Sequence, residues 1–106
     1  MIDRATIEGA AQLLAEAAPK GSTVVLFGSY ARGNPGTRSD LDFLVIEPQV
    51  EDRIREAARL DRVLRGIRCP LDVLVISQET FDHWRDTPNT VPYEAARRGM
   101  VMHVGT

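Results

Sequence analysis

The chain alternates between segments with helical spacing of apolar residues and short runs that are apolar throughout. Ile7, Ala10, Ala11, Leu14 and Ala18 recur at helical spacing, which predicts an amphipathic helix from Asp3 to Ala18, ended by Pro19, Gly21 and Ser22. "TVVLF" (23–27) reads as a short buried strand and "LDFLVIE" (41–47) as a second. Val50, Ile54, Ala57, Ala58, Val63 and Leu64 predict a helix over 50–66, with Gly66 as its C-terminal cap. "LDVLVIS" (71–77) reads as a third strand, and Ser77 caps a short helix, "QETFDHWRD", with Glu79 in its first turn. Pro88 breaks the chain. "PYEAARR" (92–98) predicts a last helix, with Pro92 at its first position and Gly99 past its end, and "MVMHV" a short terminal strand. No linker or low-complexity segment interrupts this order, so a single domain over 1–106 is expected.

The strands "LDFLVI" and "LDVLVI" are near copies, each with an aspartate in second place. Buried strands converge on such sequences, so the likeness is not taken as a duplication. Its consequence is where it puts charge. Side chains alternate across a strand, so Asp40 and Asp42 point to the same face. The helix between the two strands is long enough for a crossover between parallel neighbours. If they pair that way, Asp72 lies beside Asp42 at one end of the sheet. Three converging carboxylates resist ionising together, and a divalent cation removes the conflict. Mg²⁺ suits them, since it takes oxygen ligands and binds through a few carboxylates plus substrate phosphates.

Upstream, Gly28-Ser29 follows the first strand directly. Glycine allows a close backbone approach to a phosphate, and Ser29 opens a helical turn whose free N–H groups favour an anion. Arg32 and Arg38, in the following loop, are placed to meet phosphate charge, with a solvated position as the alternative for both. Other phosphate motifs do not fit. After Gly33 comes Asn34-Pro35 where a Walker loop needs Lys-Ser or Lys-Thr, and the spaced glycines of a dinucleotide fingerprint are missing. Asp40 or Asp42 taken singly also fits a turn cap or a solvated strand end, and Asp72, after Pro70, fits a turn.

Composition narrows the classes without choosing one. A net charge of −2 with 26% charged residues makes no case for a nucleic-acid surface, although arginines gather near 32–38, 53–68 and 97–98. The one cysteine, Cys69, rules out an internal disulfide and a cysteine-based zinc cluster. No apolar run is long enough to span a membrane, and a cytoplasmic protein is expected. His83 and His103 are too isolated for a metal site, Phe81 and Trp84 are expected in the core, and Tyr93 is expected to pack.

Gly28-Ser29, ten intervening residues, Asp40-x-Asp42 at a strand start and a later strand aspartate resemble the DNA polymerase β-type nucleotidyltransferase superfamily. The small size and "GSYARG…SDLDFLV" look like its minimal nucleotidyltransferase branch, often the antitoxin partner of a HEPN-domain ribonuclease toxin. The resemblance implies an α/β (α+β) fold, a small mixed sheet flanked by helices. It implies a nucleoside triphosphate, ATP foremost, and two Mg²⁺ ions at the sheet edge. By motif position Gly28 and Ser29 would hold the triphosphate, Asp40 and Asp42 would bind metal, and Asp72 would complete the metal site and help activate the attacking hydroxyl. It further implies transfer of a nucleotide, AMP foremost, to a hydroxyl of a HEPN toxin, with tyrosine as a plausible acceptor. Two alternatives stay open: an antitoxin acting by binding alone with a vestigial site, and a small-molecule transferase of the aminoglycoside-modifying type. The oligomeric state, homo- or hetero-, is open as well.

Overall fold

Four strands, β1 (Thr23–Phe27), β2 (Leu41–Glu47), β3 (Leu71–Ser77) and β4 (Met100–Val104), form one sheet in the order β3-β2-β1-β4. The computed structural model describes residues 2–36 and 39–104. β2 and β3 run parallel, while β1 runs antiparallel to both β2 and β4, so the sheet is mixed. The helices are α1 (Arg4–Ala17), α2 (Ser29–Arg32), α3 (Arg53–Val63), α4 (Gln78–Trp84) and α5 (Val91–Arg98).

Strand alternation sorts the side chains onto two faces. On one, Val24, Leu26, Leu41, Phe43, Val45 and Val75 pack with Ala10, Ala11 and Leu14 of α1 and with Leu60 and Leu64 at the end of α3. On the other, Val25, Leu44 and Ile46 pack with Phe81 of α4 and Ala95 of α5. β2 therefore buries both faces, which is why it reads as a continuous apolar run.

The ends of the elements follow local chemistry. Asp3 accepts from the Thr6 N–H at 2.8 Å and starts α1, and hydrogen bonding to the Thr6 side chain, then to its N–H, holds the Asp3 carboxyl below the usual carboxylate range. Ser77 caps α4 as expected, accepting from the Thr80 N–H at 3.1 Å. Four expectations are corrected. The helix expected over 50–66 spans only Arg53–Val63, because Asp52 captures its N-terminus through the Arg55 N–H at 3.1 Å. At the other end Leu64, not Gly66, is the cap, and tight turns at Asp61–Leu64 and Leu64–Ile67 lead the chain away. Pro92 is the second residue of α5, not the first, since Thr90 is its cap and Val91 opens it. Trp84 is 43% exposed, whereas Phe81 is buried as expected.

One charged group breaks the apolar rule on the α1–α3 face. Glu47, at the end of β2, is 2% exposed. Burial pushes its carboxyl up to about 8, and so do a hydrogen bond to Glu56 and the charge of Glu56, with Arg59 opposing. The shift favours the neutral acid at Glu47, with its proton shared with Glu56. Glu56 is held down to about 2, chiefly by Arg59, whose Nε and Nη2 donate to its two oxygens at 2.7 and 2.8 Å. Arg59 Nη2 also donates to the Ala17 carbonyl at 2.9 Å, so the chain of contacts ties β2 to α3 and α3 to the end of α1.

Candidate active site

β1 ends at Phe27, directly opposite Asp42 on β2, and Asp42 is in turn paired with Asp72 on parallel β3. The register expected from the two near-copied strands is therefore the observed one. The pairing starts where the Leu41 N–H donates to the Pro70 carbonyl at 3.0 Å. Asp42 is half-buried on the same face as Leu44 and Ile46, and Asp72 and Asp40 are exposed beside it. The Asp42 carboxyl is raised above the usual carboxylate range, first by burial, then by the charges of Asp72 and Asp40, against the pull of Arg32. These four groups feel one another. Among the described residues, no three Asp, Glu, His or Cys side chains stand together as a finished metal cage. The donor set is still that of a hard divalent cation: carboxylate oxygens, mutually repelling and open to solvent, with room for further oxygen ligands.

Gly28 makes the turn from β1 into α2 with φ +78°, and α2 then closes on Gly33 at φ +79°. A Cβ at residue 28 would overlap the Asp42 carboxylate. Glycine is thus required by the approach of the backbone to Asp42 itself, besides any approach to a phosphate. Gly28→Ala is expected to lower stability by at least about 1–2 kcal/mol, from the positive φ alone. That is a fall in melting temperature of about 5–15 °C for a chain of this size. An unchanged melting temperature would mean that the turn relaxes and the close approach is not needed.

Ser29 is the first residue of α2, and its carbonyl accepts the Asn34 N–H at 3.1 Å. Arg32 ends α2 and is not loose in a loop. Its Nη1 donates to Glu94 Oε1 of α5 at 2.7 Å. Glu94 was not singled out by sequence reasoning: an acidic residue in a helix's first turn already has a local explanation, and its partner is 62 positions away. Arg38 lies outside the described residues. Ser39 sits in a turn, its hydroxyl accepting from the Gly36 N–H at 2.7 Å.

Two cavities lie on the α4–α5 face of the sheet, and none of the three aspartates lines either. One, of about 590 Å³, is lined by Phe27, Asn89, Thr90, Tyr93, Glu94, Arg97 and Arg98. The other, about 560 Å³ and mostly apolar, begins two residues along each strand from Asp42 and Asp72, at Leu44 and Leu74, and reaches Trp84 and Ile54. No described helix is long and apolar enough to cross a membrane.

The sequence model of the nucleotidyltransferase domain family matches residues 7–95. The chain belongs to this family. The matched span holds Gly28, Ser29, Arg32, Arg38, Asp40, Asp42, Asp72 and Glu94, so this nucleotidyltransferase domain is assigned to a transferase family over most of its length. Its fold is similar to solved structures of the same kind. One is a chain of a toxin–antitoxin crystal structure with AMP-PNP, with a TM-score of 0.66 and 23% identity over 93% of this chain and 73% of that one. Another is from a Shewanella oneidensis complex of a tri-AMPylated HEPN toxin with an MNT antitoxin, with a TM-score of 0.64 and 19% identity over 99% and 74%. A third is a nucleotidyltransferase homologue from Sulfolobus solfataricus, at 0.62 and 19% over 92% and 76%. No curated protein matches the chain.

Proposed function

We propose that this domain is a Mg²⁺-dependent nucleotidyltransferase that moves AMP from ATP to a hydroxyl of a partner protein, and that the partner is a HEPN toxin silenced by the modification. The observation that carries the reading is the register of Asp42 with Asp72, with Gly28-Ser29 turning directly over Asp42. Asp40, Asp42 and Asp72 would hold the Mg²⁺ ions. When bound, the metal neutralises the triphosphate and aligns the attacking and leaving oxygens. Gly28 and Ser29 cradle the phosphates, with Arg32 and Arg38 as further phosphate partners. The acceptor oxygen forms its bond to the α-phosphorus as the bond from that phosphorus to the bridging oxygen breaks. Pyrophosphate leaves, and the hydroxyl proton passes to the exposed Asp72 carboxylate, through an oxygen lone pair not engaged with the metal. A phosphodiester on the toxin adds negative charge where RNA phosphates must bind, which accounts for silencing.

The mostly apolar cavity farther along the same face, from Leu44 and Leu74 to Trp84 and Ile54, suits a protein acceptor better than a small cationic drug. The nucleotide-bearing and AMPylated toxin–antitoxin neighbours point the same way. The test is stoichiometry. A trace of the domain with ATP and Mg²⁺ is expected to inactivate an excess of a HEPN protein encoded beside it, to add the mass of AMP to the toxin, and to leave it inactive once the domain is removed. Silencing only at equal or greater amounts, without ATP and without a mass increase, would make it a binding antitoxin instead.

A further inference from the structure

The ion pairs Arg4–Glu8 and Glu56–Arg59 each lie within one helix. Arg32–Glu94 differs: it joins the four-residue α2 to α5 across 62 positions at 2.7 Å. Both side chains are about one-third exposed, at 34% and 31%, and such surface pairs add little to stability. The pair does something else. A free arginine carries large rotamer freedom, and Glu94 removes it by fixing Nη1. The guanidinium so held stands at the carboxylate end of the sheet, because Arg32 closes the four-residue helix that opens at Gly28, whose backbone lies against the Asp42 carboxylate. One of its five donors is used by Glu94, and among the described residues the others have no partner. Among the residues lining the adjoining cavity the charged ones are Glu94, Arg97 and Arg98, so two of its three charges are basic.

From this geometry we infer that Glu94 is a positioning residue for the nucleotide site, holding the Arg32 guanidinium where it meets the triphosphate of an incoming nucleotide. The inference rests on the nucleotidyltransferase reading of the same site. A guanidinium fixed in advance loses less freedom when the phosphate arrives, so affinity, not the chemical step, carries the effect.

The test is calorimetric binding of ATP with Mg²⁺, with KM and kcat for transfer, in wild type, Glu94→Ala, Glu94→Gln, Arg32→Ala and the double variant Arg32→Ala with Glu94→Ala. Glu94→Ala is expected to weaken ATP binding roughly 3- to 10-fold and raise KM alike, with kcat within about 2-fold. Glu94→Gln, which keeps the acceptor oxygen, should fall between it and wild type. The double variant should match Arg32→Ala alone, because Glu94 acts only through Arg32. Melting temperatures near wild type separate this from a folding defect, and Glu94→Gln carries the test should Glu94→Ala not fold. Wild-type affinity in both Glu94 variants, tighter binding, or effects that multiply in the double variant would overturn the inference. Asp42→Asn in the same titration tells the two failures apart. If wild type does not bind ATP with Mg²⁺, the transferase reading fails and the role of Glu94 with it. If wild type binds, Asp42→Asn does not and Glu94→Ala is unaffected, only the role of Glu94 falls.

Discussion

Asp42→Asn is expected to abolish nucleotide transfer while leaving the fold intact or slightly firmer. Asparagine matches aspartate in size and shape but carries no charge to hold a cation. Losing the metal's stabilisation of the phosphoryl charge costs several kcal/mol, on the order of 10³-fold in rate or more. The same substitution removes a conflict. The Asp42 carboxyl is raised by burial and by Asp72 and Asp40, so its ionised form is held in the fold against a cost. The sign follows. A raised carboxyl favours the fold at low pH, and that contribution is lost as pH rises through its folded value. At neutral pH without metal the asparagine variant should therefore melt no lower than wild type, and modestly higher. Transfer followed with labelled ATP, beside a melting curve, checks both halves. Transfer at the wild-type rate would remove Asp42 from the chemistry. A collapsed melting temperature would make it a structural residue.

The part of the site legible in the sequence is the part written in short-range pattern. The strands "LDFLVI" and "LDVLVI" carry their aspartates at equal depth, and a helix of crossover length lies between them. Parallel pairing then brings Asp42 onto Asp72, as observed. Gly28 was legible as a position needing glycine, but only half of the reason was. That its missing Cβ makes room for the Asp42 carboxylate depends on the β1–β2 register, which no local signal states. Arg32 was legible as a charge near the phosphate loop, and its partner Glu94 was not, because tertiary packing of α5 on β1 creates the pair. The early start given to the third helix was avoidable: Asp52 is an N-cap residue type in front of the periodic run, and it outranks Val50. Trp84 shows the opposite limit, since hydrophobic character predicts burial only where a neighbour exists to cover the ring.

Glu47 is where periodicity was most silent and where the second large effect is expected. Nothing in "LDFLVIE" distinguishes a buried glutamic acid from a solvated strand end, because the deciding groups, Glu56 and Arg59, arrive from α3. Its carboxyl lies near 8 in the fold against an ordinary 4.5, so between those values the folded chain keeps a proton that the unfolded chain has released. Stability must then fall as pH rises from about 4.5 to about 8, and stay low above that. At one pH unit per 1.4 kcal/mol the ceiling is roughly 5 kcal/mol, reduced by whatever water enters beside the ionised group. Glu56 acts in the other window: held near 2, it stabilises above its ordinary 4.5 and loses that as pH falls toward 2. The pair therefore favours a stability maximum near pH 4.5. Glu47→Gln removes one slope and not the other. The amide keeps a donor for Glu56 but has no proton to lose, so the variant should match wild type near pH 4.5 and exceed it by a few kcal/mol at pH 8.5. Urea unfolding of both proteins across pH 4–9 measures the difference directly. Glu47 lies five residues along β2 from Asp42, roughly 17 Å away, so transfer at neutral pH should be unaffected. Two parallel stability profiles would show that Glu47 is ionised throughout and that the proton shared with Glu56 does not exist.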